Sequence, residues 1–159
     1  MTKSIHLSLD AMGGDNAPEI IVKGAAQSKI RYPNIKFSFF GNKNKLLPLI
    51  SSIKILKNSD IIHTNEFIDA NEKPSIAVRK GKNSSMGMAI QSVKSGDTDA
   101  IVSAGNTGAL MAMAKLFLRP IEGINRPAIA AYFPTISGES CMLDLGANIE
   151  CDAKNLVQF

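Results

Sequence analysis

The stretch SLDAMGGDNAPEI, residues 8–20, decides how the rest of the chain is read. An apolar run ends in Asp10, crosses the adjacent glycines Gly13 and Gly14 and a second carboxylate, Asp15, and then opens into Asn16-Ala17-Pro18-Glu19. Upstream, Ile5, Leu7 and Leu9 alternate with His6, Ser8 and Asp10, a two-residue period that predicts a strand over residues 5–10. Downstream, asparagine followed three positions later by glutamate, with proline in the first turn, has the form of a capping box and predicts a helix over 17–29. Strand, glycine loop and helix in succession are the opening unit of an α/β sheet. A turn needs one glycine, so a second beside it implies backbone kept bare for something to approach.

The same alternation continues. Strands are predicted over 35–40 (IKFSFF), 61–63, 100–103 (AIVS), 129–133 and 142–145. Helices are predicted over 43–52 despite Pro48, 75–80, 85–95 (SMGMAIQSVKS) and 107–118, with another beginning at 152. Residues 64–74 are polar, acidic and irregular. Strands and helices alternating at this spacing predict a parallel, doubly wound α/β sheet with helices on both faces. The first strand alternates more cleanly than a strand buried on both faces should. It is therefore expected either near an edge or with His6 and Ser8 satisfied inside the fold.

At 159 residues, 45% hydrophobic and 20% charged, the chain fits one soluble globular domain. No apolar run reaches the roughly 20 residues that cross a bilayer, and the start turns acidic and glycine-rich too early for a signal peptide. A cytoplasmic protein is expected. The net charge of +4 comes mostly from lysines that look scattered along the chain, so nucleic acid is not implied as a partner. Cys141 and Cys151 lie in no metal or redox spacing and have no histidine nearby. Packing, rather than catalysis, is expected of His6 and His63. For Met86, Met88, Met111 and Met113 core packing is favoured over an acyl-chain channel.

Three glycine-bearing loops each follow an apolar strand: residues 10–15, 103–108 (SAGNTG) and 144–148 (DLGAN). In an open parallel sheet ligands bind beyond the carboxyl ends of the strands, so the three are expected along one edge. Bare backbone amides, aided by a following helix N-terminus, suit phosphate or another oxyanion. The candidates there are Gly13, Gly14, Asp15, Ser103, Gly105, Gly108 and Asn148. The plainer alternatives are turns that need positive φ, and helix capping by Asn106 or Thr107 alone. Neither G-x-G-x-x-G nor G-x-x-x-x-G-K-[ST] occurs, which weakens nucleotide readings. A fourth candidate is RKGKNSS, 79–85, where Arg79, Lys82, Ser84 and Ser85 form either an anion site at a helix start or a solvated loop.

The motifs DAMGGDNAP (10–18), KPSIAVRKGKNSSM (73–86), SAGNTGALMA (103–112), RPAIAAYFP (126–134) and LDLGANIECDAKNLVQF (143–159) span nearly the whole chain. In this order they resemble the bacterial phosphate acyltransferases of phospholipid synthesis, which make acyl-phosphate from acyl carrier protein thioesters and inorganic phosphate. The resemblance implies a three-layer α/β fold like those of isopropylmalate dehydrogenases and phosphate acetyltransferases, and a homodimer that needs no cofactor or metal. It also implies loose membrane association and transfer of the product to an integral membrane glycerol-3-phosphate acyltransferase. Asp10, Asn106 and Thr107 are then expected to act in catalysis, with Asp10 and Asp15 orienting amides and Lys/Arg partners. Residues 1–159 are expected to be the N-terminal portion of a longer domain, since NLVQF stops within the first turns of a helix. Two readings compete: a fragment that is inactive without the rest, and a dehydrogenase or phosphotransacetylase relative that binds nicotinamide or coenzyme A.

Overall fold

The computed structural model describes residues 4–125, 127–146, 148 and 150–159. Its contacts separate two units, Met1–Leu118 and Arg119–Phe159.

In the first unit, β1 (His6–Asp10), α1 (Glu19–Arg31), β2 (Lys36–Gly41), α2 (Lys43–Ser52) and β3 (Asp60–His63) are followed by α3 (Pro74–Lys80), α4 (Ser85–Ser95), β4 (Ala100–Val102) and α5 (Thr107–Leu118). The strands form one parallel sheet in the order β3-β2-β1-β4, with Leu7 opposite both Phe37 and Ala100. Side-chain alternation sorts its two faces. Leu7, Leu9, Phe37 and Phe39 meet Val22 and Ala25 of α1 and Leu46 and Ile50 of α2. On the opposite face α4 covers Ser8, while Met86, Ile90, Ala109 and Met113 join α3, α4 and α5 in a second core. Full burial of Met86 and Met113 assigns them to packing, which contributes about 1.5–3 kcal/mol for each such side chain. Helices on both faces make the unit doubly wound, as expected.

β1 lies in the middle of the sheet, so its polar alternation is not an edge effect. Buried Ser8 places Oγ 3.0 Å from the Ala89 carbonyl and 3.1 Å from that of Ala100. His6 Nε2 is 2.8 Å from Ser38 Oγ on the adjacent strand. The second of the two expectations therefore holds: these polar groups are satisfied inside the fold.

The capping box expected at Asn16 does not form. Helix α1 starts at Glu19 with no side-chain cap, because Ala17 N donates to Gly14 O (3.3 Å) and Ile20 N to Asn16 O (3.1 Å). Backbone carbonyls already supply the acceptors that the asparagine side chain would offer. In α2 the asparagine does cap, with Lys45 N donating to Asn42 Oδ1 at 3.2 Å, and the helix continues through Pro48.

The second unit holds β5 (Ala130–Thr135), β6 (Gly138–Leu143) and α6 (Ala153–Gln158). Its two strands, expected to extend a parallel sheet, instead pair antiparallel with Thr135 opposite Gly138. Two residues, Ile136 and Ser137, join them, and so short a link can only reverse the chain; a parallel pair needs a crossover of about a dozen residues or more. Asp152 and Asn155 form a reciprocal capping box at α6. Among the described residues no helix is long and apolar enough to cross a membrane.

Candidate functional site

From β1 the chain adds β2 and then β3 on one side, and returns to place β4 on the other. The loop after β1 leads to α1 on one face, while the loop after β4 leads to α5 on the opposite face. Between two such diverging loops a parallel sheet leaves a crevice at its carboxyl edge. Residues 10–15 and 103–108 therefore emerge side by side.

They are joined below the surface by Asp10, which is 1% exposed. Ser85 Oγ donates to Asp10 Oδ1 at 2.5 Å and Ser103 Oγ donates to Oδ2 at 2.7 Å. Ser103 Oγ in turn accepts the Gly105 amide at 3.1 Å. The partners of Asp10 are thus hydroxyls rather than the Lys or Arg expected, because Arg79 and Lys82 are directed to solvent. The paired glycines fit around this node. A Cβ on Gly13 would lie 2.4 Å from Asp10 Oδ2 and 3.1 Å from Gly105 Cα. Gly14, at φ +100°, would set a Cβ 2.9 Å from the Ala104 carbonyl oxygen. Backbone is bare here so that one loop can lie on the other.

Above the node is a cleft of about 420 Å³, lined by Gly14, Asp15, Ala70 and residues 104–108. Asn106 builds its floor. Its Oδ1 accepts Ala109 N at 2.9 Å, and its Nδ2 donates to Ala70 O and Glu72 O, both at 2.9 Å. The side chain caps α5 and pins the irregular 64–73 segment beside the cleft, which leaves it no free donor. Among the described residues, by contrast, the amides of Gly14, Asp15, Thr107 and Gly108 meet no acceptor, nor does the exposed Thr107 hydroxyl meet a partner. Two of these amides open α5, whose N-terminal partial positive charge favours an anion.

The profile of the fatty acid synthesis protein family matches residues 5–159. The chain belongs to this family. It is 52% identical to a phosphate acyltransferase of Rhodospirillum centenum over 160 residues, covering 100% of this chain and 45% of the relative. Similar matches are the phosphate acyltransferases of Rhodospirillum rubrum, 49% identical over 100% of this chain and 46% of the relative, and of Parvibaculum lavamentivorans, 48% identical over 100% and 45%. The chain thus spans somewhat under half the length of the curated relatives it matches.

In this member of the fatty acid synthesis family, ten of the candidate residues lie at the cleft or the node beneath it: Asp10, Gly13, Gly14, Asp15, Ser85, Ser103, Gly105, Asn106, Thr107 and Gly108. Ser84 lies outside them. It caps α4, accepting Gly87 N at 3.1 Å and donating to Gly81 O at 2.6 Å. Arg79 and Lys82 are exposed and do not line the cleft. Asn148 belongs to the second unit, where its amide and Nδ2 donate to Asp144 Oδ2 at 2.9 and 3.0 Å; Ala147, in the same loop, lies outside the described residues. Cys141 and Cys151 are exposed and free.

A larger cleft of about 1080 Å³ lies over β2 and β3 beside α4, lined in part by His6, Ser38, Phe40 and Gln91. It shares no lining residue with the smaller cleft, and His6 and Ser38 satisfy each other there. Unpartnered donors, not volume, single out the smaller one. Sequence reasoning missed Ala70 and Glu72, which act through backbone carbonyls and so carry no side-chain signal.

Proposed function

We propose that this cleft holds inorganic phosphate for acyl transfer from acyl-[acyl carrier protein], giving acyl-phosphate for phospholipid synthesis. The observation that carries the reading is the set of four unpartnered amides and one unpartnered hydroxyl lining a single crevice at the switch point of the sheet. Similarity to proteins named phosphate acyltransferases supports it.

The amides of Thr107 and Gly108 and the Thr107 hydroxyl hold phosphate oxygens, with Gly14 and Asp15 donating from the facing loop. Phosphate is already nucleophilic, so no side chain need be acylated. One phosphate oxygen bonds to the thioester carbonyl carbon while the carbonyl electron pair moves onto its oxygen. Collapse of that intermediate breaks the C–S bond and releases the carrier thiolate, whose parent thiol has a pKa near about 8.5 and needs little protonation to leave. Positioning and stabilisation of the oxyanion are then the protein's main tasks. Asp10 and Asn106 act at one remove, setting the 103–108 loop through Ser103 and through the cap on α5. Arg79 and Lys82 attract anionic substrates from the adjoining surface.

On this reading residues 1–159 are the N-terminal portion of the acyltransferase, which works as a homodimer at the cytoplasmic membrane surface. Its product passes to a membrane glycerol-3-phosphate acyltransferase. The test is acyl-phosphate formation from palmitoyl-[acyl carrier protein] and phosphate, trapped by hydroxylamine as the hydroxamate. Product above background, reduced about tenfold to a hundredfold in Thr107→Val, supports the reading. A folded chain that makes no product and binds no phosphate sinks it.

A further inference from the structure

Helices α1 and α2 lie side by side on one face of the sheet, with a single 3₁₀ turn, Lys54–Leu56, packed against both. The segment that builds this layer, residues 20–59, contains eight of the chain's 18 Lys and Arg and none of its 14 Asp and Glu. The other ten cations and 14 carboxylates leave the rest of the chain at −4. The scatter of lysines read along the sequence is therefore a segregation of charge between layers of the fold. Seven of the eight, Lys23, Arg31, Lys36, Lys43, Lys45, Lys54 and Lys57, are exposed, and none is ion-paired with a described residue. Lys29, the eighth, donates to the Ile35 carbonyl. Among these cations stand exposed Ile20, Ile30, Tyr32, Leu47 and Ile55, with Ile30 72% exposed.

We propose that the outer face of this α1–α2 layer seats on an anionic lipid surface. Uncompensated cations repel one another, and an anionic surface relieves that repulsion. Breadth argues for a bilayer over a small acidic protein. Lys43 and Lys45 follow the carboxyl end of β2, while Arg31 and Lys36 flank its amino end, so the charge extends across the whole width of the sheet. Lysine stems and the scattered Ile, Leu and Tyr side chains enter the headgroup region, and the ammonium groups meet lipid phosphates. The inference rests on the membrane-surface part of the reading above and specifies the face, independently of the acyl-transfer chemistry.

The test is co-sedimentation of the full 159-residue chain with vesicles of phosphatidylcholine, with or without about 30% phosphatidylglycerol, an anionic fraction high enough to attract polybasic surfaces. Two variants, Lys43→Glu/Lys45→Glu and Lys54→Glu/Lys57→Glu, change charge on the layer. Lys94→Glu/Lys115→Glu makes the same change elsewhere at exposed positions and serves as control. Binding to the anionic vesicles only is expected, with release at about 0.5 M salt, where the Debye length falls below about 5 Å. Each layer variant should lose about tenfold or more in bound fraction, and the control should stay within about twofold. If the chain binds but all three variants behave alike, the face is wrong while the membrane-surface reading stands. Failure to bind any vesicle overturns both, and so does binding to polyglutamate in place of vesicles.

Discussion

Ser103 and Asp10 are 93 residues apart in the chain, and their side chains meet at 2.7 Å. The bond is matched on the other carboxylate oxygen by Ser85, 75 residues from Asp10. One buried group at the end of β1 therefore fastens the start of α4 and the loop that opens α5. Asp10→Asn replaces one acceptor with a donor, and Ser103 Oγ already accepts from Gly105. The expected loss is about 1–3 kcal/mol of stability, read as a lower urea midpoint at unchanged slope. A double-mutant cycle of Asp10→Ala with Ser103→Ala should return a coupling of about 1 kcal/mol. Additive effects would mean the contact contributes nothing.

Two glycines make opposite predictions for the same substitution. In Gly13→Ala the new methyl collides with Asp10 Oδ2 and the Gly105 backbone, which costs about 1–3 kcal/mol. A Cβ on Gly24, inside α1, has no atom within 4 Å. Gly24→Ala should therefore stabilise by about 0.5–1 kcal/mol through helix propensity. Thermal melts should move in opposite directions, by about 2–4 °C per kcal/mol in a chain of this size. A neutral Gly13→Ala would show that the two loops are not pressed together.

The third prediction concerns Asn106. Its amide group both caps α5 and holds the Ala70 and Glu72 carbonyls. Asn106→Asp keeps an acceptor for Ala109 N but turns a carboxylate oxygen toward two carbonyls. Hydrogen exchange in residues 70–73 should accelerate in Asn106→Asp while the first turn of α5 stays protected. Asn106→Ala should release both and lower stability by about 1–2 kcal/mol. Equal protection of 70–73 in all three proteins would remove Asn106 as the clamp.

What the sequence disclosed follows from how local each signal is. Helix α4 runs from Ser85 to Ser95 as expected, because Ser84 and Gly96 mark its two ends in the sequence itself. The bare backbone at Gly13 and Gly14 was also legible. What presses on Gly13 was not: Asp10 is near in sequence, but Gly105 lies on another strand's loop. The pairing of β5 with β6 was lost because two apolar runs fit a parallel sheet equally well until the two-residue link between them is weighed. Asn16 failed as a cap for a similar reason, since nothing in its spacing shows that backbone carbonyls take the same amides first. The charged layer was missed because its lysines are spread over 40 positions and meet only when α1 and α2 pack together.

The last prediction addresses the ligand. Thr107 is exposed and its hydroxyl has no partner among the described residues, so Thr107→Val should leave stability within about 0.5 kcal/mol. The same substitution removes one donor from the cleft. If phosphate sits on the α5 N-terminus, the wild-type melt should rise with phosphate, by about 2.7 kcal/mol of stability at a hundredfold excess over the dissociation constant. Thr107→Val should need about tenfold or more phosphate for the same shift, because a hydrogen bond to an anion is worth about 1.5–3 kcal/mol. Chloride at matched ionic strength isolates screening from binding, since screening acts on both proteins alike. A phosphate shift that is identical in wild type and Thr107→Val would place the anion elsewhere, with the exposed Arg79 and Lys82 as the next residues to replace.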